Sequence, residues 1–426
     1  MSKLSVVEIC AGAGGQSLGL HLAGFEHRLA VEIDPTAAAT LRTNLGRLQP
    51  GDDVESLVAV GDVADPRVWN PSEFQAGIDL LAGGVPCPPF SVAGKQLGAN
   101  DERDLFAWAV ELAGRMQPRA VMLENVRGLS STRFGGYRQA VIDRFEELGY
   151  VADWELLEAK DYGVPQLRPR FVLVALRPED AARFEWPEKK PTSETVGTTL
   201  LDLMSKNWKH ADTWAYERAT GIAPTIVGGS KKHGGADLGP TRAKRAWAAL
   251  GVDGMGIANE PPNTTDPNHM PRLTLEMVER LQGWHGPEYE WTFTGRKTSH
   301  YRQVGNAFPP PVARAVGEAI ARAFDPATSS AERSPERKMH DEVYRALRDA
   351  DDWMTTARIE RTLGSRLTAD EIEARISRLK HDFEVHEAPR GGSTAWKLGD
   401  FKAFRGQEDH DRHLAFADHG RRRQIS

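Results

Sequence analysis

Over residues 4–176 short apolar runs alternate with longer stretches of helical periodicity. The runs are Leu4–Cys10, Leu29–Ile33, Leu57–Val60, Ile78–Ala82, Ala120–Leu123 and Phe171–Leu176. Between them, apolar positions recur with helical spacing across Gln16–Ala23, Pro35–Leu45, Arg103–Arg115 and Tyr137–Leu148. Such alternation predicts an α/β domain built on a parallel sheet. Because the strands are almost continuously apolar, the sheet is expected to be covered on both faces.

From Arg177 to Pro271 the pattern dissolves into a stretch rich in Gly, Pro, Thr and Trp. It is expected to be a loop-rich insertion of irregular strands. Helical periodicity returns at Leu273–Leu281 and Val312–Phe324, so the first domain, residues 1–176, resumes over 272–325. A Pro- and Ser-containing linker, 326–336, sets off a small module at 337–400, followed by a polar tail at 401–426. Within the module, Val343 and Leu347, Ile359 and Leu363, and Ile372, Ile376 and Leu379 mark three helices. Thr368 and Glu371 form a capping box for the third. Phe383–Glu387 and Thr394–Leu398 flank a Pro-Arg-Gly-Gly-Ser turn that signals a hairpin. Three helices and a hairpin suggest a winged helix.

Composition narrows the function. The chain has 426 residues, enough for two to three domains, and its 40% hydrophobic and 27% charged residues are ordinary for a globular protein. No apolar run reaches the length of a membrane span, and the N-terminus lacks the pattern of a signal peptide. The two cysteines, Cys10 and Cys87, exclude a disulfide framework. A cytoplasmic location is expected. The net charge of −6 means that any nucleic-acid contact must be a local patch. One candidate is Lys231–Arg245, where Lys231, Lys232, Arg242, Lys244 and Arg245 face only Asp237. Its bland alternative is a solvated loop.

The first run leads into Ala11-Gly12-Ala13-Gly14-Gly15 and then directly into a helix. Glycines there allow a sharp turn and close approach to a ligand, and the helix N-terminus favours electron-rich groups. Glu32 lies near the end of the second run, where doubly wound folds place a carboxylate on ribose hydroxyls. Asp62 follows the third and is placed to accept from an adenine amino group. Together these features fit an adenosine ligand. They do not separate a dinucleotide from S-adenosylmethionine.

The fourth run ends in Gly83-Gly84-Val85-Pro86-Cys87-Pro88-Pro89-Phe90-Ser91, and the fifth in Glu124-Asn125-Val126. A lone cysteine is commonly a small buried hydrophobe. This one follows the C-terminal end of a strand, where α/β enzymes place their chemistry. In that order, the motifs resemble those of the DNA (cytosine-5)-methyltransferase family. Val7–Leu20 is similar to the family's cofactor loop, Gly83–Gly98 to its Pro-Cys loop, and Glu124-Asn125-Val126 to its E-N-V. Gln166-Leu167-Arg168-Pro169-Arg170 is similar to its Q-x-R-x-R, Arg272–Trp284 to the segment closing the recognition region, and Gln303-Val304-Gly305-Asn306-Ala307 to its last cofactor motif. The resemblance covers roughly residues 4–325. Two positions depart from it: Pro88 stands where the family usually has Gln, and Cys10 where it usually has Phe.

The resemblance implies a Rossmann-like, S-adenosylmethionine-dependent core with a target-recognition insertion and an added winged-helix-like domain. It implies sequence-specific methylation of cytosine C5 in double-stranded DNA, with Cys87 adding to C6. Glu124, Arg168 and Arg170 would hold and polarise the base. Cys10, Ala11, Gly12, Gly14, Gly15, Glu32, Ile33, Asp62, Val63, Leu105, Asn306 and Ala307 would form the cofactor pocket. Ser91 and Lys95, on the loop that closes over an extruded base, would join Lys231 and Lys232 on DNA. No metal site is expected, and a companion restriction endonuclease is left open. Three rival readings remain: a nicotinamide dehydrogenase, a tRNA-directed relative, and a non-catalytic DNA-binding protein. The recognition sequence is not legible.

Overall fold

A computed structural model describes residues 3–75, 77–86, 103–228, 235–328 and 339–402. Its centre is a sheet of β1 (Leu4–Ile9), β2 (Phe25–Glu32), β3 (Val58–Val60), β4 (Leu80–Gly83), β5 (Ala120–Val126), β6 (Val151–Glu158) and β7 (Pro169–Leu176), in the order β3-β2-β1-β4-β5-β7-β6. The first five strands run parallel, as their apolar runs predict. The sheet is parallel-rich, as expected, with an antiparallel edge in which β7 runs against both β5 and β6. β6 has no counterpart among the predicted strands. It is an edge strand in which only Trp154 and Leu157 are buried, so it carries no continuous apolar run.

The helices of the first domain are α1 (Gly15–Leu22), α2 (Pro35–Leu48), α3 (Arg103–Met116) and α4 (Gly135–Glu147), each close to its predicted span. α2 starts where Asp34 accepts from the backbone of Thr36 at 2.9 Å and Pro35 supplies the first helical φ.

The insertion differs from expectation. Among the described residues of 177–271 there is no strand, only isolated bridges and helices that include α5 (Val196–Met204) and α6 (Thr241–Ala249). Its Gly, Pro and Trp content reflects a small helical core in which Trp208, Trp214 and Trp247 are buried beside Leu200 and Leu203. The chain returns through α7 (Leu275–Gln282), α8 (Lys297–Asn306) and α9 (Pro310–Ala323). α9 lies against α1 so tightly that a Cβ on Gly19 would come within 2.5 Å of Pro310 O.

The C-terminal segment contains α10 (Glu342–Ala350), β8 (Met354–Thr355), α11 (Thr356–Thr362), α12 (Ala369–Asp382), β9 (Phe383–Arg390) and β10 (Ser393–Phe401). The three helices and the hairpin follow in the expected order, and the capping box of Thr368 and Glu371 is formed. β8 adds a third strand in the order β8-β10-β9. The apolar residues of this segment form one continuous cluster with those of α3, α4 and the central sheet. No described helix is long and apolar enough to cross a membrane.

Candidate functional site

The carboxyl ends of β1, β2, β4 and β5 open into one cleft, completed by α8. It is lined by Glu8, Cys10, Ala11, Gly12, Ala13, Gly15, Gln16, Glu32, Asp34, Gly84, Glu124, Ser299, Arg302, Gln303, Asn306, Ala307 and Phe308, with Ala37 from α2. The loop after β1 makes this possible. Gly12 and Gly14 hold φ of 59° and 95°, and Cys10 itself holds 50°, a left-handed conformation that costs a non-glycine residue energy. Trp291 clamps the loop from outside, its Nε1 donating to Ala13 O at 2.8 Å.

Glu32 is buried and organises this loop. One carboxylate oxygen accepts from Gly12 N at 2.7 Å and the other from Asp34 N at 2.7 Å. Burial pushes its carboxyl above the usual range, against the pull of those two N–H groups. Deeper in the cleft, Glu8 Oε2 accepts from Ser17 Oγ at 2.7 Å and meets His27 Nε2 at 2.8 Å. Glu8 Oε1 and both amide atoms of Gln16 are buried with no partner among the described residues.

At the other end stands the pair Glu124 and Arg170. Arg170 Nε lies 2.6 Å from Glu124 Oε1, a contact that is ionic rather than an aligned hydrogen bond. Burial raises the Glu124 carboxyl, while Arg170 and Arg168 draw it back down, the net direction being up. A Cβ on Gly84 would sit 3.4 Å from Glu124 Oε2, so the carboxylate faces the chain just before Cys87. Asn125 Nδ2 donates to Val85 O at 3.1 Å and ties that same segment to β5.

Arg168 is placed differently from Arg170. Its guanidinium is fully buried and donates to Ile226 O at 2.6 Å, Gly305 O at 2.7 Å and Ala307 O at 2.8 Å. It therefore knits the insertion to the C-terminal end of α8. Gln166 completes the weave by donating to Leu281 O and accepting from Ile226 N, both at 3.0 Å.

Of the residues singled out in the sequence, Cys10, Ala11, Gly12, Gly15, Glu32, Glu124, Asn306 and Ala307 meet in the cleft. Gly14, Ile33, Asp62, Val63 and Leu105 do not line it. Gly14 is packed under Trp291, and Ile33 is exposed beyond Glu32. Asp62 accepts from Ala64 N at 2.9 Å, an ordinary turn contact, although Gly61 N donates to Glu32 O next door. Val63 is buried, and Leu105 packs on the core. Cys87, Ser91, Lys95, Lys231 and Lys232 lie outside the described residues. Sequence reasoning did not single out Glu8, Gln16, Asp34, Ser299, Arg302 or Trp291. Glu8 and Gln16 flank the loop and were within reach of it. Trp291 carried no signal, since only the fold brings it to the loop. Among the described residues no cluster of His, Cys, Asp and Glu could hold a metal ion.

Comparison with known proteins matches residues 4–322 to the family described as C-5 cytosine-specific DNA methylase. The Type II methyltransferase M.NaeI of Lentzea aerocolonigenes is 59% identical over 98% of this chain and 99% of its own. M.NgoMIV of Neisseria gonorrhoeae, likewise a Type II methyltransferase, is 50% identical over 76% of this chain and 98% of its own. Among solved structures, a mutant DNMT2 of Spodoptera frugiperda is 16% identical, covering 76% of this chain and 100% of that one at a TM-score of 0.51. That likeness concerns the fold alone.

Proposed function

Because this chain belongs to the C-5 cytosine-specific DNA methylase family and is a sequence-specific DNA cytosine-5 methyltransferase of a restriction–modification system, we propose that it works with S-adenosylmethionine in the Glu32 cleft and with Cys87 as nucleophile. The dehydrogenase and non-catalytic readings give way to that family membership, and the tRNA-directed reading, which shares the family, gives way to the likeness to Type II methyltransferases. The observation that carries the proposal is the buried Glu124–Arg170 pair. It opens to the same cleft as Glu32 and faces the end of the strand that leads into Pro86-Cys87.

The cleft suits S-adenosylmethionine. Glu32 keeps lone pairs for ribose hydroxyls, and the unpartnered Glu8 Oε1 and Gln16 amide match the polar amino-acid end. Bound there, the cofactor supplies an electrophilic methyl group on sulfonium sulfur.

The protein must make cytosine C5 nucleophilic. Cys87, as thiolate, adds to C6, while Glu124 in its acid form donates a proton to N3 so that charge does not accumulate in the ring. C5 then carries the electron density that takes up the methyl group. Loss of the C5 proton to a base, expulsion of the Cys87 thiolate and return of the N3 proton to the Glu124 carboxylate restore the neutral aromatic ring and the acid form of Glu124. Arg170 holds Glu124 in place, and Arg168 fixes the wall behind both. Since Glu124 sits at the buried floor of the cleft, the target cytosine must leave the duplex to reach it. A companion endonuclease reading the same sequence is the expected partner.

The test is Cys87→Ala. Methylation should be abolished with folding retained, and wild-type protein should form a covalent adduct with DNA carrying 5-fluorocytosine. Substantial methylation by the Ala protein would overturn the mechanism.

A further inference from the structure

Residues 135–143 of α4 are all buried, and only its last turn, at Arg144, Glu146 and Glu147, keeps some exposure. A helix in the outer layer of an α/β fold ordinarily keeps a solvent face. Here that face is covered by the C-terminal segment. A Cβ on Gly135 would lie 2.7 Å from His340 O, and one on Gly136 only 2.2 Å from Leu379 Cδ2, so glycine alone permits the approach. The Tyr137 and Phe401 rings meet at 5.2 Å between centroids. Asp143 takes Arg345 at 3.1 Å and also Arg348, which reaches on to Glu147 at 2.8 Å.

One residue joins this interface to the active site. The buried Arg138 donates from a single nitrogen to Leu129 O and Ser131 O, both at 2.7 Å, and its Nε reaches His340 Nδ1 at 3.3 Å. Residues 127–131 are the turn that begins where β5 ends, directly after Glu124 and Asn125. Burial lowers the Arg138 guanidinium to about 10, and Asp341 of the C-terminal segment opposes that fall. Arg375 and Arg378 of α12 lie near enough to Asp341 to favour its charge, so two cations of that helix serve the seam.

We propose that residues 339–402 are an integral clamp of the catalytic body. Docked on α4, they hold Arg138, and Arg138 holds the 127–131 turn that sets the end of β5. Arg138 is a positioning residue, and the clamp's partner is the chain's own catalytic body rather than DNA.

A site-specific protease sequence placed between Thr328 and Met339 allows the folded full chain to be nicked. The two pieces should co-elute on gel filtration and unfold in one transition. In the intact chain, Arg138→Ala should lower kcat by about tenfold or more, as small misplacements of catalytic groups do. S-adenosylmethionine affinity should be unchanged, and Arg138→Lys, which can still serve the two carbonyls, should recover part of the rate. Pieces that separate, or an unchanged kcat in Arg138→Ala, would overturn the proposal. The kcat arm rests on the catalytic reading above, whose failure would show as an inactive wild type, whereas co-elution of the pieces does not depend on it.

Discussion

Arg170 Nε approaches Glu124 Oε1 to 2.6 Å in a site where both side chains are about nine-tenths buried. Burial is the larger influence on Glu124 and raises its carboxyl despite the two guanidiniums. A raised carboxyl keeps its proton to higher pH, and the protonated form is the one that can donate to N3. The single-turnover rate should therefore fall as pH rises through that raised value. Glu124→Gln keeps a donor for N3 and an amide oxygen facing Arg170 but removes the counter-charge of the buried guanidinium, so its folding is checked by thermal unfolding beside the rate. It should be slower by about 100-fold, the usual contribution of a positioned acid. Its rate should also lose the alkaline limb. A Gln protein with the same alkaline limb would assign that limb to another group.

Glu32 yields a second expectation. Its carboxylate both faces the cleft and accepts from Gly12 N and Asp34 N. Glu32→Ala should weaken S-adenosylmethionine binding by roughly 1–3 kcal/mol, the cost of losing hydrogen bonds to a charged group. Calorimetry is the direct measurement. Unchanged affinity would remove Glu32 from the ligand, and preferential binding of NAD would overturn the cofactor assignment.

The legible parts of this molecule are those in which one local rule decides the outcome. β1, β2, β4 and β5 lie inside the sheet and are mostly buried, and the short edge strand β3 is apolar throughout, so each shows as an apolar run, and position alone marks the acids at their ends. Asp34-Pro35 announces the start of α2 in its own sequence. β6 stays hidden because only Trp154 and Leu157 are buried in it, and Asp153 and Glu155 break its apolar pattern. The insertion reads as irregular strands because glycine-rich composition cannot distinguish them from short helices around Trp208, Trp214 and Trp247. The clamp's helices are visible in the sequence but its seam is not. Arg138, Asp143, Arg345 and Arg348 resemble any charged helix surface until the fold presses them together.

Arg168 follows from that contrast. Its motif suggests a contact with the base, and the structure commits both of its terminal nitrogens to three backbone carbonyls. Arg168→Ala leaves those carbonyls buried, at roughly 1–3 kcal/mol for each left unsatisfied. Thermal unfolding should show a large loss of stability. Lysine should rescue poorly, because a single ammonium cannot reproduce a planar fork of donors. An Arg168→Ala protein of wild-type stability with abolished turnover would instead place the guanidinium on the substrate.

The last expectation concerns DNA. Lys231 and Lys232 fall in a segment flanked on both sides by residues packed on α8. A Cβ on Gly228 would lie 2.4 Å from Asn306 Oδ1, and Tyr301 Oη donates to Asp237 O at 2.5 Å. The described residues before the segment thus pack on Asn306, which lines the cleft, and those after it are tied to Tyr301 of α8. Lys244, from the same basic stretch, is committed to Asp237 at 2.9 Å, while Arg242 and Arg245 are exposed on α6. Lys231 and Lys232 are thus proposed to bind phosphates and so set register, leaving base reading to other side chains of the insertion. Replacing both with alanine should weaken binding to cognate and unrelated duplexes alike. It should also flatten the plot of log K against log salt, by about 0.9 for each phosphate the protein no longer neutralises. Titrations at several salt concentrations measure that slope. An unchanged slope would leave the two lysines as ordinary solvated surface and pass the electrostatic role to Arg242 and Arg245.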